Sequence, residues 1–126
     1  MKKLLLIIFI LLNAAALQAI YVENYPVTLE QPDGTKVSCF LSGDEYYNWV
    51  HDANGYSLIR DAQGYIVYAK LENDELVATS YRAGSVDPSA VGLQPNQIIS
   101  DAKRTLLRSN FLQRTAAAKN AAGLQD

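Results

Sequence analysis

The chain has 126 residues, a length suited to one domain, and its 11 Lys and Arg against 13 Asp and Glu give a formal net charge of −2. That mild acidity, which deepens once a leader containing Lys2 and Lys3 is removed, argues against a nucleic-acid partner. A lone cysteine, Cys39, excludes an internal disulfide, and a lone histidine, His51, excludes a zinc site built on two imidazoles of this chain.

Residues 1–19 read as a signal peptide. Lys2 and Lys3 supply the positive end, Leu4 to Leu12 an uninterrupted apolar run, and Ala16 and Ala19 alternative cleavage points. The apolar run spans about 14 Å as a helix and a bilayer core is about 30 Å thick, so it is too short for a membrane anchor. The expectation is a secreted or periplasmic product with no stable membrane anchor after cleavage.

Residues 20–95 carry all eight tyrosines and the single tryptophan, with turn chemistry between short β-type runs. Pro26 to Glu30 and Thr35 to Ser42 flank Gln31-Pro32-Asp33-Gly34, where Pro presets the second turn position and Gly accepts positive φ, so a hairpin is expected. Asp44 to Val50 is read as a strand with Tyr47 and Trp49 on one face; a helical turn capped by Asp44 is the alternative. His51-Asp52-Ala53-Asn54-Gly55 then reverses the chain into Tyr56 to Arg60. Asp61-Ala62-Gln63-Gly64 reverses it again into Tyr65 to Leu71, and Glu72 to Glu75 turns it into Leu76 to Tyr81. Arg82 to Pro95 reads as an irregular connector, and no tandem repeat is assigned.

Residues 96–126 form the carboxy-terminal helix and a frayed tail. Asn96 behind Pro95 is the expected cap, and Ile99, Ala102, Leu106 and Leu112 form the expected apolar stripe. Lys103, Arg104, Arg108 and Arg114 fall largely outside it, as a solvated face or, at Lys103-Arg104, a dibasic processing site. The expected fold class is α+β: a mostly antiparallel β-meander of five to six short strands followed by one carboxy-terminal α-helix.

The ordered series Gln-Pro-Asp-Gly, Gly-Asp-Glu-Tyr-Tyr-Asn-Trp, His-Asp-Ala-Asn-Gly-Tyr and Gln-Gly-Tyr-Ile-Val-Tyr resembles the amino-terminal propeptide of the immune inhibitor A family of secreted zinc metalloproteases. The resemblance covers roughly residues 22 to 95 and rests on Asp33, Gly34, Gly43, Trp49, His51, Asp52, Gly55, Tyr56, Gly64, Tyr65 and Tyr68 as motif or interface residues. A protease of that family needs a His-Glu-x-x-His helix, in which two imidazoles hold zinc and the Glu activates water. The motif is absent here, so the resemblance implies a non-catalytic, cofactor-free domain that assists folding of, or inhibits, a metalloprotease catalytic domain.

Inhibition of a zinc enzyme calls for a ligand that displaces the attacking water, and Cys39, Asp44 and Glu45 are the candidates. Each has a plainer reading. Cys39 alternates with Val37 and Leu41 on an apolar face, which suits a buried core thiol. Asp44 and Glu45 beside Gly43 suit a turn or cap, and His51 next to Asp52 suits a neutral imidazole bonded to nearby backbone. Trp49 suits the core, but with Tyr56 and Tyr65 it also suits a glycan-binding platform, the basis of an alternative reading as an adhesion module. A truncated protease gene product without independent function is the other alternative. Intrinsic catalysis is not expected, because no Gly-x-Ser-x-Gly elbow accompanies the single histidine.

Overall fold

The computed structural model describes residues 20–123. The signal-peptide assignment to residues 1–19, and the end of the tail at 124–126, lie outside the described residues. Six antiparallel strands form one sheet: β1 (Val22–Glu30), β2 (Lys36–Gly43), β3 (Asn48–His51), β4 (Ser57–Arg60), β5 (Ile66–Glu72) and β6 (Glu75–Arg82). Their spatial order is their chain order, and one helix, α1 (Asp101–Ala121), follows a 3₁₀ turn at Pro88–Val91. This is the α+β meander expected from the sequence.

Three of the reversals are the same turn. In Gln31–Gly34, Asp52–Gly55 and Asp61–Gly64 the glycine N–H donates to the carbonyl of the first residue, and that residue's own N–H donates to the carbonyl just beyond the glycine. These are type I turns closed by a bulged glycine, which takes the positive φ at position 34, 55 or 64. In the last two, Asp52 and Asp61 use Oδ1 to accept amides two and four residues ahead. Asp-Ala-Asn-Gly-Tyr and Asp-Ala-Gln-Gly-Tyr are thus one structural unit used twice, although no repeat is assigned from the sequence. Asp33 instead binds Thr35, through its amide and its hydroxyl. The β5–β6 reversal differs: Asn73 and Asp74 both have positive φ between the pairs Glu72↔Glu75 and Leu71↔Leu76, a type I′ hairpin.

Register divides the sheet into two faces. One gathers Val27, Leu29, Val37, Cys39, Val50, Leu58, Ile66 and Tyr68 into the main core, closed from outside by Ala83, Val86 and Leu93 of the connector. Cys39 is 2% exposed here, as the alternation with Val37 implied, and burial pushes its thiol pKa up. The sheet curls round this core, so that the end of β1 reaches β5: the Gln31 side-chain carbonyl accepts the Ile66 N–H at 2.9 Å. Tyr68 ties the connector down, its Oη accepting the Gly84 N–H.

The expected strand Asp44 to Val50 is corrected at its first half. Strand pairing begins at Asn48, because Asp44 Oδ1 accepts the amides of Tyr46 and Tyr47 and holds residues 44–47 as a capped turn. Gly43 makes the turn possible: at φ +123° its Cα faces the Tyr47 carbonyl, and a Cβ there would stand 2.3 Å from that oxygen.

The helix start is also corrected. Asn96 takes positive φ, and its N–H donates to the Gly55 carbonyl at 2.8 Å, pinning the connector to the β3–β4 turn. Ser100 is the cap, its Oγ accepting the Lys103 amide. Of the expected stripe only Ile99, just ahead of α1, is buried; Ala102, Leu106 and Leu112 are exposed, and no residue of α1 is fully buried. The helix is held by polar bonds at its first turn: Asp74 accepts the Ser100 amide and hydroxyl at 2.6 and 2.5 Å. Lys103 Nζ donates to the Asp74 carbonyl at 2.7 Å and pairs with Glu75 at 3.1 Å. Lys103 and Arg104, expected on a solvated face, instead turn partly inward.

Candidate functional site: an aromatic face beneath the helix start

The second face of the sheet carries Phe40, Ser42, Trp49 and His51, brought into register by the pairs Phe40↔His51 and Ser42↔Trp49. The rings form a row: Trp49 and His51 centroids lie 4.2 Å apart, and His51 stacks on Phe40 at 6.1 Å. Ile99, buried, and the Gln97 carbonyl, which accepts the Ser57 hydroxyl at 2.6 Å, cover the inner end of this face.

His51 ends β3 and is 3% exposed, with both ring nitrogens bonded. Nδ1 lies 2.8 Å from the Asp52 carbonyl, which can only accept, so Nδ1 carries the proton and Nε2 accepts from the Ser42 hydroxyl at 2.8 Å. Ser42 Oγ in turn accepts the Asn24 amide, presented by a bulge in β1 where Asn24 takes positive φ. A ring bonded to nearby backbone is the plainer reading of His51. Its Ser42 partner, set by strand register, had no signal in the sequence.

Trp49 and Tyr21 stand between two cavities. One, about 290 Å³, is bordered by Ser42, His51, Asn24 and Asn96. The other, about 310 Å³, lies between residues 43–49 and the helix and is bordered by Tyr46, Tyr47, Asp44, Arg104 and Arg108. The charges there are partly committed. Asp44 holds its turn, Arg104 pairs with Asp101, and Arg108 lies over the Tyr46 ring at 5.1 Å. Tyr47 has its pKa raised by burial, with a bond from the Ile99 backbone pulling the other way.

The proposed zinc-directed residues are not brought together. Cys39 lies in the core on the opposite face, Asp44 is a turn cap on this one, and Glu45 is exposed beside it. Among the described residues no group of three or more His, Cys, Asp or Glu is placed to hold a metal ion. The motif residues Asp33, Gly34, Asp52, Gly55 and Gly64 build turns, while Tyr68 builds core. Trp49, Tyr56 and Tyr65 do not share a platform: Tyr56 packs on the core cluster, and Tyr65 lies under Arg82, whose guanidinium is 3.7 Å from the ring centroid.

No family model, curated protein or solved structure matches this chain.

Proposed function

We propose that this chain is an exported, non-catalytic domain of the propeptide type, which binds a zinc metalloprotease catalytic domain and assists its folding or restrains it. The residues that carry the resemblance mostly serve turns and core, as suits a domain that acts by shape. The observation that carries the reading is the helix. It has no fully buried residue and leaves Leu106 58%, Phe111 42% and Leu112 46% exposed, with Phe111 set against Tyr46 at the edge of the aromatic face. Exposed apolar residues adjoining a rigid aromatic surface are what a protein partner buries.

The test is refolding and inhibition. A denatured catalytic domain of the immune inhibitor A type is refolded with and without residues 20–126, and residual peptidase activity is titrated against the domain. Faster recovery of activity, or saturable inhibition, supports the reading. Recovery and activity unaffected at a hundredfold excess of the domain would sink it.

A further inference from the structure

Resting on the propeptide reading, we infer the chemistry of the partner segment: it presents an apolar side chain between two carboxylates, and it docks beside Tyr46 along one row of α1. The row is Arg108, Phe111 and Arg114, spaced by three residues and therefore one ridge of the helix. Tyr46 braces its centre. The Phe111 ring meets Tyr46 edge-on at 5.3 Å and 78°, and the Arg108 guanidinium lies over the same ring. Beside the row a notch of about 470 Å³ runs between Tyr46 and the free part of the helix, with Leu107, Phe111 and Ala118 as its apolar lining and Arg114 at its rim.

Charge selects the occupant. The helix carries five cations, Lys103, Arg104, Arg108, Arg114 and Lys119, against the single carboxylate of Asp101. Lys103 pairs with Glu75 and Arg104 with Asp101. Arg108 and Arg114 have no carboxylate in salt-bridge range among the described residues. They stand about 9 Å apart along the axis at the usual helical rise, with an aromatic ring between them. A guanidinium favours carboxylate over neutral acceptors because it can form two parallel charge-assisted bonds. An acid–apolar–acid segment matches both the charge and the order of the row. A purely apolar segment would leave both cations unmatched, and a basic one would be repelled.

The direct probe is the peptide acetyl-Glu-Ala-Leu-Ala-Glu-amide, titrated into the domain while ring resonances of Tyr46 and Phe111 are followed by NMR. Its Lys and Gln counterparts serve as controls. The Glu peptide should shift both rings, saturably and more weakly at high salt, and the Lys peptide should not. Reversal of both arginines (Arg108→Glu with Arg114→Glu) should weaken binding at least tenfold. Its unchanged amide spectrum in the sheet would show that the fold is intact. Equal response to the three peptides, or to none, overturns the inference. Loss of binding to anionic phosphatidylglycerol vesicles without loss of peptide binding in the double variant assigns these arginines to lipid and overturns it too.

The inhibition assay separates this inference from the reading beneath it. Wild-type inhibition that survives reversal of both arginines leaves the propeptide reading standing and removes this docking row. An absence of both wild-type inhibition and refolding assistance removes the propeptide reading, while the peptide titration still decides the chemistry of the notch.

Discussion

The Ser42 hydroxyl donates to His51 Nε2 across the β2–β3 pair at 2.8 Å, and both side chains are buried. The His51 ring spends its other nitrogen on the Asp52 carbonyl, and Ser42 accepts the Asn24 amide, so the bonds run from the β1 bulge to the β3–β4 turn. Removing either side chain strands a buried polar group. His51→Leu and Ser42→Ala are each expected to cost about 1–3 kcal/mol. The double variant should cost less than their sum, because the second change removes a partner already stranded by the first. Urea midpoints of the four proteins measure this, and additivity would show that the bond contributes nothing.

Gly43 and Gly34 both have positive φ but differ in surroundings. A Cβ at Gly43 meets the backbone of Tyr47 and Asn48, whereas one at Gly34 meets nothing within 4 Å. Gly34→Ala should therefore cost only the left-handed penalty, about 1–2 kcal/mol. Gly43→Ala should cost more than about 3 kcal/mol or prevent folding, because backbone must move. Circular dichroism melts of the two variants compare them directly.

Acid should release the helix. The Asp74 carboxyl is held below its ordinary range, first by the Ser100 hydroxyl and then by the Ser100 amide. A depressed folded-state pKa means that this contribution is complete above the unfolded value, about 3.9, and is lost as pH falls through the folded one. Protection of the amides in the first turn of α1, relative to their intrinsic exchange rates, should fall on acidification below pH 4 before the sheet opens. Asp74→Ala should show the same loosening already at neutral pH.

Cys39 should resist alkylation. Its thiol is enclosed by the core, and burial raises its pKa, so both access and thiolate are scarce. Iodoacetamide should label the native domain on the order of 10³-fold more slowly than the urea-unfolded chain, for ordinary domain stability. Rapid native labelling would mean that the thiol reaches the surface. In the inhibition assay, Cys39→Ser with unchanged inhibition would remove the thiol from any zinc-blocking role.

Local chemistry announced the meander. Gln31-Pro32-Asp33-Gly34, Asp52 to Gly55 and Asp61 to Gly64 each contain the residues their turn needs within five positions, and the Val37, Cys39, Leu41 alternation already named the core face of β2. The strand read at residues 44–47 lost to a local cap by Asp44, whereas the misreadings of the helix arose where distant chain competes with local preference. Asn96 is a good cap by type, but Gly55, 41 residues earlier, takes its amide, and the cap passes to Ser100, which Asp74 holds from 26 residues away. The stripe through Leu106 and Leu112 has helical spacing, yet spacing says nothing about which face meets the sheet. The Lys103 bonds to the β5–β6 turn orient the helix and leave those leucines outside.

Turn type and strand order follow from φ preferences and side-chain bonds spanning a few residues, so amino-acid identity alone settles them. The Ser42 partner of His51, the start and facing of α1, and the Arg108–Phe111–Arg114 row beside Tyr46 are tertiary outcomes. Each depends on which groups register and curl bring within about 3 to 5 Å, and no sequence interval encodes that distance.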